Sequence, residues 1–418
     1  MRRLLIVTAV LVLGAAQSAS AATIDNTIGR MVDRSSFAGK HTSLIVWDRT
    51  AGRLLAVHQR DRELRPASNM KLLTSSAVFE REGASARLFT RVYATGSLSG
   101  GTLHGSLWMV GGGDPSLSTN VFATKAFGGY SGHLSNLAAA VRAAGIVRVT
   151  GRLYGDESRF DSRRTAPFWK PSYWMDCPPI SALLVNEDLY RFGNPHASAN
   201  PPLYAAQVFH KSLRGHGVTF AHGTRAGVRP AGARVVAVER SPTFARMLRH
   251  MDHVSDNLFA EVFSKDLAVH GGLRGTTKNG VRATRNALGD IGVSLAGARI
   301  YDGSGLSRGD HLSARQVLSV LTHAAKQPWG ATLRADLPLA GVNGTLSNRM
   351  RSGPAYRNAQ AKTGTLDDAS ALSGYVHSRN GHQIMFSILV NHRRLNILAA
   401  HKLQDRIVQA LAGSRPRG

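Results

Sequence analysis

The sequence predicts an α+β protein in which an antiparallel sheet is assembled from both ends of the chain around a large β-rich insertion. Two observations indicate this fold. Strand patterns stand near both ends of the chain beside stretches of helical period. Residues 85–239 instead contain short strand patterns separated by glycine-rich turns. We therefore expect residues 23–84 and 240–418 to form one domain and residues 85–239 to form inserted β-rich structure.

The first 22 residues have the organisation of a secretory signal peptide. Two arginines precede an apolar run at 4–16, and Ala19-Ser20-Ala21 provides a small-residue cleavage site. A membrane anchor is the alternative, but this run of 13 residues is shorter than the roughly 20 that a bilayer requires. We expect cleavage after Ala21 or Ala22, and a mature protein in the periplasm or cell-wall space without a transmembrane segment.

Hydrophobic period and turn residues locate the expected elements along the chain. The expected helices cover 24–32, 68–80, 137–144, 202–216, 244–269 with an interruption at 250–257, 282–291, 313–326 and 395–411. The expected strands cover 42–48, 53–58, 90–96, 102–110, 147–153, 361–366, 371–377 and 383–391.

The chain is strongly basic, with 52 Lys and Arg against 26 Asp and Glu and a formal net charge of +26. Such a surface attracts polyanions, which include nucleic acid, anionic lipid and an acidic cell envelope. The basic residues are scattered rather than gathered into arms, so nucleic acid is disfavoured and anionic cell-wall polymers are preferred. A solvated surface without a specific partner is the alternative. The insertion could likewise dock on the wall or limit access, but a structural buttress is the preferred interpretation.

The chain has one cysteine, Cys177, so it can form no internal disulfide and no multi-cysteine metal site. A partly buried structural cysteine is preferred over a catalytic thiol.

Three short motifs occur in an informative order: Ser68-Asn69-Met70-Lys71, Ser255-Asp256-Asn257 and Lys362-Thr363-Gly364. Each motif alone is weak evidence for a catalytic site, whereas the three motifs in this order are strong evidence. A serine hydroxyl needs a neighbouring base, and helix positions three apart share a face, so Lys71 is expected beside Ser68. Lys71 can be that base only when neutral, which requires burial or a nearby cation such as Lys362.

The other motif residues suit the remaining steps of an acyl transfer. Ser255 could bridge Lys71 to the leaving nitrogen and relay a proton, while Asn257 offers an amide to the substrate backbone. Gly364 permits close approach of a ligand to a strand, and the N–H groups of Ser68 and Thr365 could form an oxyanion hole. Lys362, Thr363 and Thr365 together suit a terminal carboxylate.

Structural alternatives exist for each motif. Ser68 and Ser255 could be ordinary helix caps, and Lys362 could be a charge on an edge strand. Gly305-Leu306-Ser307-Arg308-Gly309 matches a nucleophile-elbow pattern but lies in a turn-rich run. His250 and His253 lack the spacing of a helical zinc pair, so no metal site is expected. The last helix could lie on a membrane, but packing on the sheet is preferred.

The three motifs resemble those of penicillin-binding proteins and serine β-lactamases. The wider sequence resembles one branch, the D-alanyl-D-alanine carboxypeptidase/endopeptidase family of the penicillin-binding protein 4 type, or peptidase family S13. The segments that carry this wider resemblance are Gly111–Pro115, Asn186-Glu187-Asp188, Ser255–Glu261, Asp302–Arg308 and Gly341–Leu346. The run Gly309-Asp310-His311 departs from the branch and leaves only that loop in doubt.

This resemblance implies a penicillin-binding-protein/β-lactamase-like transpeptidase fold, with an antiparallel sheet and helices on both sides. It implies a serine D,D-peptidase that removes the terminal D-alanine from peptidoglycan stem peptides through a Ser68 acyl-enzyme. It also implies inhibition by β-lactam antibiotics such as penicillin, and no cofactor. Cleavage of D-alanyl cross-links stays open as a second activity.

A serine β-lactamase and a catalytically silent peptidoglycan-binding protein are the alternatives. In the commonest β-lactamase class, a glutamate between the second and third motifs activates the deacylating water. No glutamate follows Glu261 in this chain, and Ser68 and Ser255 are 187 positions apart, which leaves room for the insertion. Both features favour a peptidase, and the intact motifs argue against a silent protein.

Overall fold

A computed structural model describes residues 24–35, 37 and 41–417. The expected signal peptide, residues 1–22, lies outside the described residues. Within the described part of the chain, no helix combines the length and the apolar character needed to cross a bilayer.

A five-stranded antiparallel sheet joins the two ends of the chain, as expected. Its strands are β1 (Thr42–Asp48), β2 (Arg53–His58), β14 (Gln360–Leu366), β15 (Ala369–His377) and β16 (Gln383–Asn391). They lie in the order β14-β15-β16-β1-β2, so β1 pairs with a strand from the far end of the chain. The strand β14, which carries the third motif, lies at the edge of this sheet.

Alternation along the strands buries both faces of the sheet. Leu44 and Val46 of β1 pack into one apolar cluster, and Ile45 between them packs into another. Helix α1 (24–33) and the C-terminal helix α11 (Ile397–Gly413) contribute to the first cluster. Helices α2 (Met70–Arg81) and α9 (Ala314–Ala324) contribute to the second. The last helix therefore packs on the sheet, as preferred from the sequence.

Four further helices complete this part of the chain: α6 (Phe244–Val254), α7 (Asn257–His270), α8 (Thr277–Asp290) and α10 (Gly330–Asp336). Two short strands, β3 (Glu63–Leu64) and β13 (Leu312–Ser313), pair with each other. The expected interruption of the 244–269 helix is narrower than predicted, because only Ser255 and Asp256 separate α6 from α7. Helix α8 begins five residues before the expected start at 282, because the Thr276 side chain caps it by accepting from Asn279 N–H.

The stretch between 85 and 239 forms two sheets of its own. Their strands are β4 (Phe89–Ala94), β5 (Ser97–Ser99), β6 (Thr102–His104), β7 (Leu107–Val110), β8 (Arg148–Val149), β9 (Leu153–Asp156), β10 (Thr219–Phe220) and β11 (Thr224–Ala226), with β12 (Arg234–Arg240) beside β4. The order is β11-β9-β7-β4-β12 in one sheet and β10-β8-β6-β5 in the other. Its helices are α3 (Asn120–Phe127), α4 (Leu134–Ala143) and α5 (Pro201–Gly215).

Two expected strands in this stretch, 102–110 and 147–153, are each divided between the two sheets. The chain passes from one sheet to the other at Gly105 and at Gly151. A Cβ on Gly105 would lie 1.8 Å from Thr95 O, and one on Gly151 would lie 2.4 Å from Gly105 O. The crossing therefore requires glycine at both points. The prediction of continuous strands was wrong because the alternation of apolar and polar residues does not show where the chain crosses between the sheets. Helix α3 was also not predicted.

Candidate active site

Ser68 lies in a 3₁₀ turn, Ala67–Asn69, immediately before α2. The turn is fastened to the edge strand β14 because the Asn69 side-chain amide donates to Lys362 O at 2.9 Å. No side-chain capping hydrogen bond accompanies this turn or the start of α2, so the cap interpretation of Ser68 was wrong. Ser68 instead accepts a hydrogen bond from the side chain one turn further along.

Lys71 lies where the spacing of the first motif predicts. Its Nζ donates to Ser68 Oγ at 3.0 Å, to Asn257 Oδ1 at 2.7 Å and to Ser304 O at 2.9 Å. The side chain is fully buried. Burial lowers the pKa of Lys71 to about 8, although several carboxylates nearby oppose this shift. The neutral form that a base requires is therefore a minority at pH 7 but far more populated than for an exposed lysine.

The carbonyl of Ser304 is a site group that sequence reasoning missed. Glu261 Oε1 accepts from the N–H groups of Gly303 (3.0 Å) and Ser304 (2.8 Å), and Asp302 Oδ1 accepts from Gly305 N–H at 2.7 Å. These carboxylates fold the loop so that its carbonyl faces Lys71. The Asp-Gly-Ser-Gly run was visible in the sequence, but nothing in it indicated a lysine partner.

Gly305 lets this loop approach the nucleophile turn. Its φ is +85°, and a Cβ there would lie 1.9 Å from Ala67 O. The neighbouring Ser307 is fully buried, and its hydroxyl donates to Pro167 O at 2.8 Å. The serine of the nucleophile-elbow pattern, Ser307, is therefore a structural residue of the loop.

Ser255 contacts a different lysine from the one expected. It terminates α6 with a left-handed backbone, φ 64°, and Lys362 Nζ donates to its Oγ at 2.8 Å. The expected bridge to Lys71 corresponds to no hydrogen bond among the described residues. Ser255 does cap a helix, but through its backbone: its N–H donates to Met251 O at the C-terminal end of α6, whereas Asp256 caps the start of α7 by accepting from Phe259 N–H at 3.1 Å.

Asn257 uses both ends of its amide within the protein. Its Oδ1 accepts from Lys71, and its Nδ2 donates to Asp176 O at 2.8 Å. The expected contact with substrate therefore requires Nδ2 to exchange partners or to share its second proton. Asp176, which follows the exposed turn Pro171–Met175, was not singled out by sequence reasoning.

Lys362 lies on an edge strand, as the structural alternative supposed, but it is not a surface charge. Its side chain is fully buried beneath the site. Burial lowers the pKa of Lys362 to about 7, with the neighbouring Lys71 charge adding to the shift. Repulsion between the two charges therefore disfavours the state in which both lysines are protonated.

Asp252, one turn before Ser255, provides the counter-charge that sequence reasoning missed. It is fully buried, and its Oδ2 accepts from Ser75 Oγ at 2.7 Å. Burial raises its pKa to about 6, while the charges of Lys362 and Lys71 oppose that shift. Nothing in the sequence near Asp252 indicates this role, because the residues that it interacts with lie on other helices and strands.

Gly364 packs directly on the nucleophile turn. A Cβ there would lie 2.9 Å from Pro66 O and 3.0 Å from Ser68 N, so a side chain would push the strand away from Ser68. Thr363 Oγ1 donates to Thr345 Oγ1 at 2.7 Å, and Thr365 is exposed. The sequence led us to expect that Gly364 admits a ligand close to the strand; the packing of the nucleophile turn on Gly364 and the contact of Thr345 with Thr363 were not expected.

The three motifs together line one open cleft with a volume of about 450 Å³. We call it the catalytic cleft. It is lined by Ser68, Tyr173, Asp176, Ser255, Asn257, Leu306, Thr345, Arg349, Thr363, Gly364, Thr365, Leu366, Asp367, Ile397 and His401. A hydroxyl beside a buried lysine, a second lysine–serine pair and an edge strand suit nucleophilic acyl transfer.

The remaining sequence candidates lie beside this cleft or in the core. Cys177 is buried and unpaired, and burial raises the pKa of its thiol well above the ordinary value. His250 pairs with Asp256 at 3.3 Å, whereas His253 Nδ1 lies 2.9 Å from Asp336 O, so the two histidines face different partners. Glu187, His250 and Asp256 bring one potential ligand atom each within 4.8 Å of one another, a grouping of a size that could hold a metal ion. The proton transfers between lysine and serine in the catalytic cleft do not require these three residues.

Known proteins resemble the chain in sequence and in fold. The sequence profile of the D-Ala-D-Ala carboxypeptidase 3 (S13) family matches residues 24–193 and 188–413. A D-alanyl-D-alanine carboxypeptidase of Actinomadura sp. strain R39 is 30% identical, over 87% of this chain and 80% of its own. The crystal structure of penicillin binding protein 4 from Haemophilus influenzae has a TM-score of 0.79 at 21% identity, over 91% of this chain and 97% of its own. The crystal structure of the same protein in complex with a novel β-lactam has a TM-score of 0.72 at 21% identity, over 91% of this chain and 98% of its own. These structures confirm the fold expected from the three motifs.

Proposed function

The chain belongs to the D-Ala-D-Ala carboxypeptidase 3 (S13) family, and from that membership we propose that it hydrolyses peptidoglycan stem peptides through an acyl-enzyme on Ser68. The observation that carries this proposal is the 3.0 Å hydrogen bond between Lys71 Nζ and Ser68 Oγ in a buried site that opens into the catalytic cleft. A buried lysine within hydrogen-bonding distance of the serine hydroxyl is suited to accept the serine proton.

In the first half of the reaction, neutral Lys71 takes the proton of Ser68 as its oxygen attacks the carbonyl between the two terminal D-alanines. The N–H groups of Ser68 and Thr365 are proposed to stabilise the resulting oxyanion. Collapse breaks the C–N bond, and the leaving amine receives a proton from Ser255, which Lys362 can replace across 2.8 Å. Free D-alanine departs, and the acyl group remains on Ser68.

Before the second half, Lys71 loses the proton it took from Ser68, and Lys362 regains one, by exchange with solvent. Water then attacks the ester carbonyl and gives one proton to Lys71, which returns it to Ser68 Oγ as the ester bond breaks and the shortened peptide leaves. Before cleavage, the terminal carboxylate is proposed to lie against Lys362, Thr363 and Thr365, with the charge of Lys362 favouring it when protonated. Thr345 holds the Thr363 hydroxyl in place from the other side. A free terminal carboxylate is thus the feature that selects a carboxypeptidase substrate.

Further parts of the proposal concern the whole protein. We assign residues 23–84 and 240–418 to the catalytic domain and residues 85–239 to an inserted domain, supported by their separate sheets. Secretion into the periplasm or cell-wall space is supported by the pattern of the first 22 residues. The net charge of +26 supports contact with anionic wall polymers. D-alanyl cross-links offer the same acyl group with a longer leaving amine, so they are proposed as a second substrate.

Covalent labelling tests the nucleophile. Fluorescent penicillin is expected to label the protein, Ser68→Ala is expected to abolish the label, and Ser97→Ala, a change at an exposed serine of β5, is expected to retain it. Persistent labelling of Ser68→Ala contradicts the assignment. A wild-type protein that is never labelled supports a silent wall-binding protein, and rapid hydrolysis of penicillin supports a β-lactamase.

Product analysis tests the reaction itself. Incubation with a pentapeptide muropeptide is expected to release D-alanine, which mass spectrometry detects directly. Cross-linked dimers in a parallel incubation separate cross-link cleavage from carboxypeptidase action. Absence of free D-alanine from the pentapeptide contradicts the proposed function.

A further inference from the structure

Exposed aromatic side chains are concentrated in one segment of the chain. Among the described residues, four of the five exposed aromatics lie between 168 and 192, namely Phe168, Trp174, Tyr190 and Phe192. Met175, 55% exposed, adds to them. Large apolar side chains scattered singly over a surface need no explanation, so the informative ones are Trp174 and Met175, which line the same cleft.

Two of these residues line a second cleft with a volume of about 580 Å³, which we call the side groove. Its lining comes from three segments, namely Trp174 and Met175 with their neighbours, the loop around Gly193–Pro195, and the turn between α6 and α7. The side groove shares Asp176, Ser255 and Asn257 with the catalytic cleft. A ligand in the catalytic cleft can therefore continue into the side groove without leaving the protein surface.

The groove combines a flat apolar surface with polar groups. The Trp174 ring is 49% exposed and stacks on His196 with 5.6 Å between ring centroids and 23° between planes. Asp176, Glu187 and Asn194 line the same groove and offer carboxylate and amide groups. An amphipathic ligand with an apolar face and several hydroxyl or amide groups fits this lining better than an apolar segment does.

We infer that the side groove binds the amino sugar to which the stem peptide is attached, so that the enzyme acts preferentially on stem peptides still joined to glycan. This inference rests on the proposed function, because it extends the substrate from the reacting end toward its point of attachment. Four residues separate the scissile bond of a pentapeptide from its sugar, and four extended residues span about 13 Å. A sugar ring presents C–H groups on its face, which can lie on Trp174, and hydroxyls and an amide at its edge, which suit Asp176 and Asn194.

Paired substrates test the inference. The wild-type protein is given a free pentapeptide and the same pentapeptide carrying a disaccharide, and kcat/KM is measured for both by D-alanine release. The sugar-bearing substrate is expected to be preferred by about tenfold, which corresponds to one well-placed aromatic contact and its hydrogen bonds. Trp174→Ala is expected to remove most of this preference while leaving kcat/KM for the free pentapeptide within about twofold of wild type.

A control and a binding measurement make the result specific. Tyr356→Ala removes an exposed aromatic that lines neither cleft, and it is expected to retain the preference. Calorimetry with Ser68→Ala protein measures binding of the two ligands without turnover, with about tenfold tighter binding expected for the sugar-bearing one. Equal kcat/KM or equal affinity for the two ligands overturns the inference, as does a Trp174→Ala variant that loses both activities equally. If neither ligand is hydrolysed but the sugar-bearing one binds more tightly, the proposed function fails and the sugar site stands.

Discussion

Lys362 Nζ donates to Ser255 Oγ at 2.8 Å, although the two residues are 107 positions apart. Lys71, in contrast, donates to Ser68 and Asn257. The site therefore contains two lysine–serine pairs rather than one chain through Lys71. One pair can remove the proton of the nucleophile, and the other can deliver a proton to the leaving group.

Replacement of Ser255 by glycine or alanine separates the function of its hydroxyl from that of its backbone. Ser255→Gly and Ser255→Ala are both expected to lower the rate of D-alanine release by about 10²–10⁴-fold, the usual contribution of proton transfer. Because φ is 64° and serine already bears the cost of a Cβ in the left-handed region, only glycine should also change the backbone energy, with a gain in stability of about 1 kcal/mol. Steady-state kinetics and thermal unfolding measure the two effects. A glycine variant with near wild-type rate contradicts the proton-delivery role.

The pH dependence of acylation reports the buried lysines. Since the pKa of Lys71 is lowered to about 8, the neutral base is the minority form at pH 7 and the rate of penicillin acylation is expected to rise as the pH rises through 8. The second-order rate constant measured from pH 6 to pH 10 gives this profile. A rate that is flat over this range shows that deprotonation of Lys71 does not limit acylation.

Asp252→Asn tests the electrostatic origin of that profile. The Asp252 carboxylate raises the pKa of both Lys71 and Lys362, so its removal is expected to lower both and to move the rise in rate to lower pH. Asparagine retains an oxygen to accept from Ser75, which keeps the structural contact. The same acylation measurement checks the shift. An unchanged profile, or a shift to higher pH, contradicts this arrangement of charges.

Two glycines of α8 are expected to respond oppositely to the same substitution. A Cβ on Gly280 would lie 2.2 Å from Ser264 O in α7, so Gly280→Ala should destabilise the protein by about 1–3 kcal/mol. Nothing lies within 4 Å of a Cβ on Gly289, so Gly289→Ala should stabilise it by about 0.5–1 kcal/mol. Denaturant unfolding measures both. Equal effects of the two substitutions are incompatible with the close packing of α7 and α8.

Cys177 is expected to be chemically silent in the folded protein. It is 3% exposed, and burial raises the pKa of its thiol, so little thiolate forms at neutral pH. Iodoacetamide is therefore expected to leave the native protein unmodified and to alkylate it once denatured, as followed by mass spectrometry. Rapid alkylation of the native protein with loss of activity would indicate a functional thiol.

Local sequence predicted those parts of the site whose residues lie close together in the chain. The contact of Lys71 with Ser68 follows from a three-residue spacing, and glycine at 364 follows from the need for close approach to a strand. The start of α8 was predicted too late because its first turn contains Gly280 rather than a large apolar residue. The helical spacing of apolar residues is therefore weak in that turn. The crossing strands at Gly105 and Gly151 were read as continuous because their apolar pattern does not stop at the crossing.

The sequence by itself determined the family of motifs, the sheet built from both chain ends and the pairing of Ser68 with Lys71, since short spacings and apolar alternation act locally. Only the tertiary structure decided that Ser255 pairs with Lys362, that Ser304 O accepts a hydrogen bond from Lys71 and that Asp252 balances the charge of the two lysines. Each of these contacts joins groups brought together by packing of α2, α6 and the loop after α8 against β14. A buried ammonium takes whichever acceptors that packing places within about 3 Å, and distance along the chain does not predict them.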